Sequence, residues 1–323
     1  MRPPRTVALC FNLKRGDSDR DAEWDSPATI AAVRRAIAAK WRCVPVEADA
    51  RAFGKLRRAR PDIVFNMAES AGGAAREGHF PSLFEILGLR YTGSDPTTLN
   101  ICLHKARTKD VLRAHGVATP AYGLDDGPLP AVVKPLHEGS SKGVRDTSLV
   151  RTRRELRREA RRVRRLYRQP AIVEAYLPGR EFTVAMLGNP PRVLPIVEIR
   201  FDTLPAGTNP LYSYEAKWIW DTAAEPLEIF DCPARVSAGR RRAIEGLCRA
   251  AWRALEIRDW ARMDVRLDAR GRPHIIEVNP LPGILPDPRD NSCFPKAARA
   301  GGLSYERLVQ SVIEIAWRRY EGM

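Results

Sequence analysis

The chain has 323 residues, 44% of them apolar, so it is long enough for two or three subdomains and too apolar to remain disordered. A formal net charge of +15 suits either nucleic acid or polyanionic small molecules, and the excess of arginine over lysine with abundant alanine and proline ties part of that charge to base composition. The six cysteines are scattered with no C-x-x-C pair, no apolar run approaches membrane-spanning length, and the apolar stretch near the start is too short for a signal peptide, so a disulfide framework, a zinc site and a membrane span are excluded and a soluble cytoplasmic protein with reduced thiols is expected.

Residues 6–11 read as a buried first strand, followed by a charged loop from Lys14 to Asp25. Ser26 as N-cap and Pro27 at the first helical position open a helix whose Ala/Ile/Val face runs to about Lys40. Residues 41–46 and 62–66 read as the second and third strands, and this alternation predicts a parallel sheet. No G-x-G-x-x-G fingerprint is present, which disfavours a dinucleotide site. The Gly- and Ala-rich loop 69–78, with Glu69, Arg76 and Glu77, follows the third strand at the end where parallel sheets hold ligands. A helix from Phe80 stops at Gly88, and Tyr91-Thr92-Gly93-Ser94 closes a first domain expected over residues 1–98. The next helix begins near Asp95–Thr98, carries Lys105 and Lys109, and ends before Gly116 and Pro120.

Residues 131–135 form a short strand leading into His137-Glu138-Gly139-Ser140-Ser141-Lys142-Gly143-Val144. Glycines bracketing two serines make a flexible flap whose backbone N–H groups can cradle phosphates, although an ordinary hairpin fits the same pattern. His137 and Lys142 read as solvated. Leu156, Ala160, Val163 and Tyr167 recur at helical spacing in the arginine-rich segment 151–168, an amphipathic helix; without interleaved aromatics its outer face reads as solvated rather than bound to nucleic acid or membrane. Residues 172–184 read as strand, Pro178-Gly179 turn and strand, 192–199 as a strand, 211–218 as a polar aromatic loop, 238–255 as a helix, and 305–317 as the last helix.

Between those two helices lie strands 262–268 and 275–279, joined by a turn at Gly271. They carry Asp264 on one strand and Glu277 and Asn279 on the other; the latter two are two apart and face the same way. Three hard oxygen donors at the edge of a core suit Mg²⁺ bound together with a nucleotide's phosphates, which points to an enzyme that uses ATP.

Five blocks in order carry a resemblance to the ATP-grasp superfamily, and within it to the D-alanine–D-alanine ligases: Tyr91-Thr92-Gly93-Ser94 with Lys105; Val133-Lys134-Pro135 with Glu138-Gly139-Ser140-Ser141; Val173-Glu174 with Gly179-Arg180-Glu181; Tyr214-Glu215-Ala216-Lys217; and Arg262-Met263-Asp264 with Glu277-Val278-Asn279 and Pro282-Gly283. The resemblance is weak over the first sixty residues and strong from Phe65 onward. It implies an α/β fold, α+β in its grasp part, of three subdomains: a Rossmann-like parallel sheet over 1–98, a central subdomain with the flap over 99–178, and a C-terminal subdomain with the metal site over 179–323.

The resemblance also implies a reaction: ATP phosphorylates a carboxylate, an amine attacks the acyl phosphate, and a tetrahedral intermediate collapses to a peptide bond, phosphate and ADP. Lys105 and Lys134 would approach the α- and β-phosphates and Lys217 the γ-phosphate, as compact point charges suited to phosphate oxygens. Glu138 and Ser141 would line the nucleotide site, Glu174 and Leu177 would meet the adenine edge, and Glu181 the ribose hydroxyls; each of the two strand glutamates also has a plain surface reading. Asp264, Glu277 and Asn279 would hold two Mg²⁺ ions, with Mn²⁺ as an alternative. Arg262 would stabilise the tetrahedral oxyanion, worth ~3 kcal/mol of barrier in comparable sites. Ser140 and its flap would cover the γ-phosphate and exclude water. Small-molecule amino-acid substrates, no nucleic acid, no membrane and a homodimer complete what the family implies.

The departures from the family pattern cluster at the amino-acid site. Ser70 and Arg76 stand where a histidine and a glutamate are expected, and an N-terminal Gly-Gly-x-Ser-x-Glu segment is missing, with only Asp21 and Glu23 as counterparts of its glutamate. Trp218 replaces a tyrosine, Pro280 a threonine, and about four extra residues precede Ser292, the serine expected to bind the second substrate's carboxylate. An arginine in place of a glutamate would favour a carboxylate. The expectation is therefore a carboxylate–amine ligase with altered substrates, with D-alanine–D-alanine ligase itself as the alternative and a non-catalytic ATP- or nucleic-acid-binding protein below that.

Overall fold

The computed structural model describes residues 3–16, 23–70, 72–220 and 227–322. Strands β1 (Thr6–Phe11), β2 (Arg42–Glu47) and β3 (Ile63–Met67) form a parallel sheet in the order β2-β1-β3, as the alternation predicts. Ser26 Oγ accepts the Thr29 N–H at 3.1 Å and starts α1 (Pro27–Ala38) where the sequence places it. Helix α2 (Ala52–Ala59) gave no sequence signal: it starts at Arg51 without a side-chain cap and carries Gly54 inside. Helix α3 (His79–Ile86) brings the chain back to Tyr91, which bridges Val64 in parallel.

The helix expected to carry both Lys105 and Lys109 is two helices, α4 (Pro96–Leu103) and α5 (Lys105–Ala114). The chain is extended at His104, whose Nδ1 accepts the Arg107 N–H at 3.2 Å as a fresh cap. The Lys105 N–H then donates to Leu136 O at 3.1 Å, fastening the start of α5 to the flap. Strands β4 (Tyr122–Leu124), β5 (Ala131–Pro135), β6 (Leu149–Val150) and β7 (Ala171–Ala175) form an antiparallel sheet in the order β4-β7-β5-β6. A Thr152–Glu155 capping box opens α6 (Arg153–Tyr167), whose Leu156, Ala160 and Val163 pack on Val133, Val150 and Val173. The flap is a long loop from Leu136 to Arg145 and a 3₁₀ turn (Asp146–Ser148), after which β6 pairs antiparallel with the start of β5.

The third sheet is antiparallel: β8 (Glu181–Leu187), β9 (Arg192–Val193), β10 (Val197–Ile199), β11 (Phe230–Asp231), β12 (Trp260–Leu267) and β13 (Pro273–Asn279), ordered β11-β10-β8-β12-β13 with β9 beside β8. The strand read over 192–199 is split by residues that include Pro195, which has no N–H for a ladder. The loop read at 211–218 contains a short helix, α7 (Tyr214–Trp218), whose N-cap Ser213 accepts the Ala216 N–H. Helix α8 (Ala238–Ala254) matches its prediction. Helix α9 (Cys293–Ala300) went unread because Ser292 gives it no side-chain cap bond, and α10 (Tyr305–Glu321) runs past the expected Trp317.

Helix α10 returns to the first sheet, where Leu308, Val309, Val312 and Ile313 share a core with Ile30, Val33 and Ile37 of α1. Fully buried Asp259 ties the ends together: it accepts the Gly93 N–H at 2.8 Å and two bonds from Arg319 at 2.9 Å. The Tyr91–Ser94 block thus docks the first sheet at the start of β12. Among the described residues no helix is long and apolar enough to cross a membrane.

Candidate active site

Alternation along β12 sends Met263, Val265 and Leu267 into the core and Arg262, Asp264 and Arg266 to the opposite face. The register sets Asp264 opposite Glu277 and Arg262 opposite Asn279, with a bulge after Asp264. Arg262 Nη2 lies 3.1 Å and Asn279 Nδ2 3.4 Å from Asp264 Oδ2. Among the described residues no group of three His, Cys, Asp or Glu side chains is placed to hold a metal. The oxygens of Asp264, Glu277 and Asn279 on this face could serve a Mg²⁺ completed by phosphate oxygens and water.

Three lysines from three elements reach this face. Lys105, at the start of α5, donates to Glu138 O and lies 3.3 Å from Glu277 Oε1. Burial would raise the Glu277 carboxyl, but Lys105, Lys134 and Arg262 override it and hold it down. Lys217, from α7, is pushed down to about 8 by burial and by Arg262, so an anion beside it would restore its charge. Lys134 of β5 lies 2.8 Å from Glu174 Oε2, and Lys109 lies 3.1 Å from Glu174 Oε1. Burial would raise the Glu174 carboxyl, yet the two ammonium groups hold it at about 2. Glu174 lines the first cavity while its side chain anchors the two lysines.

Two cavities meet at this wall. The first, between the second and third sheets, is lined by all three lysines with Leu177, Glu181 and Asp264, and by Glu138, Ser140 and Ser141 of the flap. Glu181 faces Arg266 across β8 and β12, and Arg266 Nη1 donates to its Oε2 at 2.8 Å. Arg266 is itself held over the rings of Tyr176 and Phe201. The second cavity is lined by Glu23, Glu69, Glu77, Arg262, Glu277 and Asn279 among others. Arg262 and Glu277 border both cavities, and Arg262 Nε is buried without a hydrogen-bond partner among the described residues. An oxyanion at the junction would supply the acceptor that this donor lacks.

The flap spans the two cavities. Ser140 and Ser141 adopt left-handed backbone, φ 51° and 60°, which costs a residue with a Cβ of order 1 kcal/mol or more each and is found where function over-determines the chain. Ser141 Oγ donates to Tyr212 O at 3.0 Å, and the Tyr214 N–H donates to Val144 O at 2.7 Å, so the flap is tied to the segment that carries Lys217. Gly139 lets the backbone come close to Glu23: its N–H donates to Glu23 Oε1 at 2.8 Å, and an added Cβ would stand 2.8 Å from that same oxygen and push the carboxylate aside.

The amino-acid side departs from expectation. Arg76 is not free for a substrate carboxylate. It grips Glu23 and donates Nη1 to His137 O at 2.7 Å, because the flap leaves it only 5% exposed. Lys142, expected in solvent, is also buried, 2.9 Å from Glu138 and 3.7 Å from Glu23. His137 packs edge-on against His104, and burial pushes it down to about 4. Ser292 lines neither cavity; its Oγ accepts the Leu285 N–H at 3.1 Å and fastens its own loop, lengthened by the extra residues before it. The side chain of Trp218 and all of Asp21 lie outside the described residues. Reading the sequence left Glu69 and Glu77 as loop residues without a role; their place at the C-terminal end of β3 was the only signal.

The sequence model of the D-ala D-ala ligase C-terminus family matches residues 119–314. The uncharacterized protein y4sG of Sinorhizobium fredii is 36% identical over 80% of this chain and 76% of its own. The D-alanine–D-alanine ligase of Chromohalobacter salexigens is 34% identical over 79% and 77%, and that of Stutzerimonas stutzeri 31% over 95% and 93%. The fold matches the crystal structure of the Bacillus anthracis D-alanine–D-alanine ligase complexed with ATP, at a TM-score of 0.75 and 22% identity, over 98% of this chain and 99% of that one.

Proposed function

The chain belongs to the ATP-grasp D-alanine–D-alanine ligase family, and from that membership we propose that it joins two amino acids, or an amino acid and a related amine, through an acyl phosphate, with a substrate pair other than two D-alanines. As a member of that family it is an ATP-dependent ligase that forms a peptide bond. The observation that carries the proposal is the convergence of Lys105, Lys134 and Lys217 with Asp264 and Glu277 around one cavity, with Arg262 and Glu277 shared by a second.

In this reading Lys105 and Lys134 hold the α- and β-phosphates and Lys217 the γ-phosphate, Leu177 lies against the base, and Glu181 offers Oε1 to the ribose while Arg266 holds its other oxygen. Asp264, Glu277 and Asn279 hold two divalent ions, Mg²⁺ or Mn²⁺, which when bound would offset the charge of the phosphates. Arg262 donates to the oxyanion of the tetrahedral intermediate. Ser140 and the flap keep water from the acyl phosphate. The division into subdomains 1–98, 99–178 and 179–323, a cytoplasmic location, homodimer formation and the absence of a nucleic-acid partner belong to the same proposal.

Changed substrates are supported by Arg76 and Ser292. The arginine is spent on clamping Glu23, and the serine is turned into its own loop. The Chromohalobacter and Stutzerimonas relatives, both D-alanine–D-alanine ligases, favour a second reading, D-alanine–D-alanine ligase proper. A screen of amino-acid pairs with ATP and Mg²⁺ decides: ADP and a dipeptide from a pair other than two D-alanines support the proposal, dipeptide from D-alanine alone supports the second reading, and ADP from no pair removes both.

A further inference from the structure

Five carboxyl groups line the second cavity. Glu23 is held by Arg76 and the Gly139 N–H, Glu138 by Lys142 and Gln169, and Glu277 by Lys105. Glu69 and Glu77 are left over: no hydrogen bond or ion pair reaches either carboxylate from the described residues. The cations whose charge acts on Glu77 are both committed elsewhere, Arg76 to Glu23 and Lys105 to Glu277. The same cavity is lined by Arg262 and Lys217, which suit a carboxylate about to be activated, and by the apolar Leu103, Val278 and Leu281.

We infer that one of the two amino acids joined at this site is basic, with a side-chain ammonium or guanidinium held by Glu69 and Glu77, which act as specificity determinants. The inference rests on the proposed ligase function for the claim that an amino acid enters this cavity; the two carboxylates add its charge. Both carboxylates are partly buried; a neutral amino acid brings one ammonium group to the two and leaves one of them without a partner, a place that a second cation fills. Burial, with the repulsion of Glu77, Glu23 and Asp25 against the pull of Arg76, pushes the Glu69 carboxyl up. Burial, with Glu23 and Glu277 against the pull of Arg76 and Lys105, pushes Glu77 to about 7. In the free protein the pair therefore holds protons that a dication would displace.

The test titrates the protein, saturated with Mg²⁺ and a non-hydrolysable ATP analogue, with lysine, ornithine, arginine and alanine, each in both enantiomers. The expected result is at least about tenfold tighter binding of a basic amino acid than of alanine, the size of one charge-assisted hydrogen bond. Proton release on binding near pH 7 and a preference that strengthens as pH rises through about 7 go with it. Glu69→Gln with Glu77→Gln should bring the basic amino acid down to the level of alanine, and thermal melting checks that the variant folds. If it does not fold, Glu77→Gln alone and the wild-type pH profile serve instead. Lysine preferred over arginine identifies an ammonium, the reverse a guanidinium. Alanine bound as tightly as every basic amino acid, or a preference that survives the substitutions, overturns the inference. ADP release is measured in parallel: selective binding of a basic amino acid with no ADP from any pair removes the ligase reading alone, whereas ADP and dipeptide from D-alanine without that selectivity removes this inference alone.

Discussion

Arg76 meets Glu23 side-on through two parallel hydrogen bonds, Nη2 to Oε1 at 2.7 Å and Nε to Oε2 at 3.0 Å. Both side chains are nearly buried, and each reaches the flap, Arg76 through His137 O and Glu23 through the Gly139 N–H. The pair therefore closes the flap onto the first subdomain with an interaction whose geometry only arginine supplies.

Removing one partner should be costly. Arg76→Met leaves Glu23 buried with the Gly139 N–H and, as its nearest remaining cation, Lys142 at 3.7 Å, and urea unfolding should show a loss of about 3 kcal/mol, part of it recovered by adding Glu23→Gln. The single variant should also release more ADP per dipeptide formed, because a loosened flap admits water to the acyl phosphate. Unchanged stability and coupling would mean that the pair does not hold the flap.

Nucleotide affinity should fall on the alkaline side. Burial and the neighbouring Arg262 push Lys217 down to about 8, so the free protein loses this charge as pH rises through that value. Phosphate binding favours the protonated form, and binding above pH 8 should take up a proton. Titrations of MgATP between pH 7 and 9.5 should show the decline, and Lys217→Met should flatten it.

Glu174 contributes to folding through Lys109 and Lys134. Glu174→Gln leaves two buried ammonium groups without a counter-charge and should cost about 3–5 kcal/mol at pH 7. The folded carboxyl is held at about 2, below the ordinary value near ~4.3, so its contribution is complete above that ordinary value and is lost as pH falls toward 2. The stability gap between wild type and variant should narrow between pH 5 and 2 when measured by chemical denaturation.

Asp264→Asn and Glu277→Gln should each lower turnover by about 10²-fold or more, equivalent to several kcal/mol, and raise the Mg²⁺ concentration needed for half activity. Circular dichroism should show the fold intact, since both residues sit on the face of their strands away from the core. Near-normal rates in either would separate this carboxylate pair from the chemistry.

Much of the site lay close to the surface of the sequence. The two-residue spacing of Glu277 and Asn279 was enough to face them one way, because a strand has a fixed period. The three lysines stood out by type and order, and the structure brings them to one cavity. The cap at Ser26 and the apolar spacing along 151–168 are local features, so α1 and α6 could be read; α7 was not, because its five residues are too few to show a helical period.

What the chain could not disclose are pairings between residues far apart in sequence. Arg76 read as a free cation because Glu23, fifty-three positions away, comes to it only once the flap folds over both. Lys109 and Lys134 reach Glu174 from other elements. Glu69 and Glu77 looked like loop polarity until the cavity left them as its unmatched charges. Sequence alone set the local periods, the caps and the chemical kind of each group. Tertiary structure alone decided which charges neutralise one another and which remain for a ligand, since charge pairing depends on distance and burial, and neither is a property of neighbouring residues in a chain.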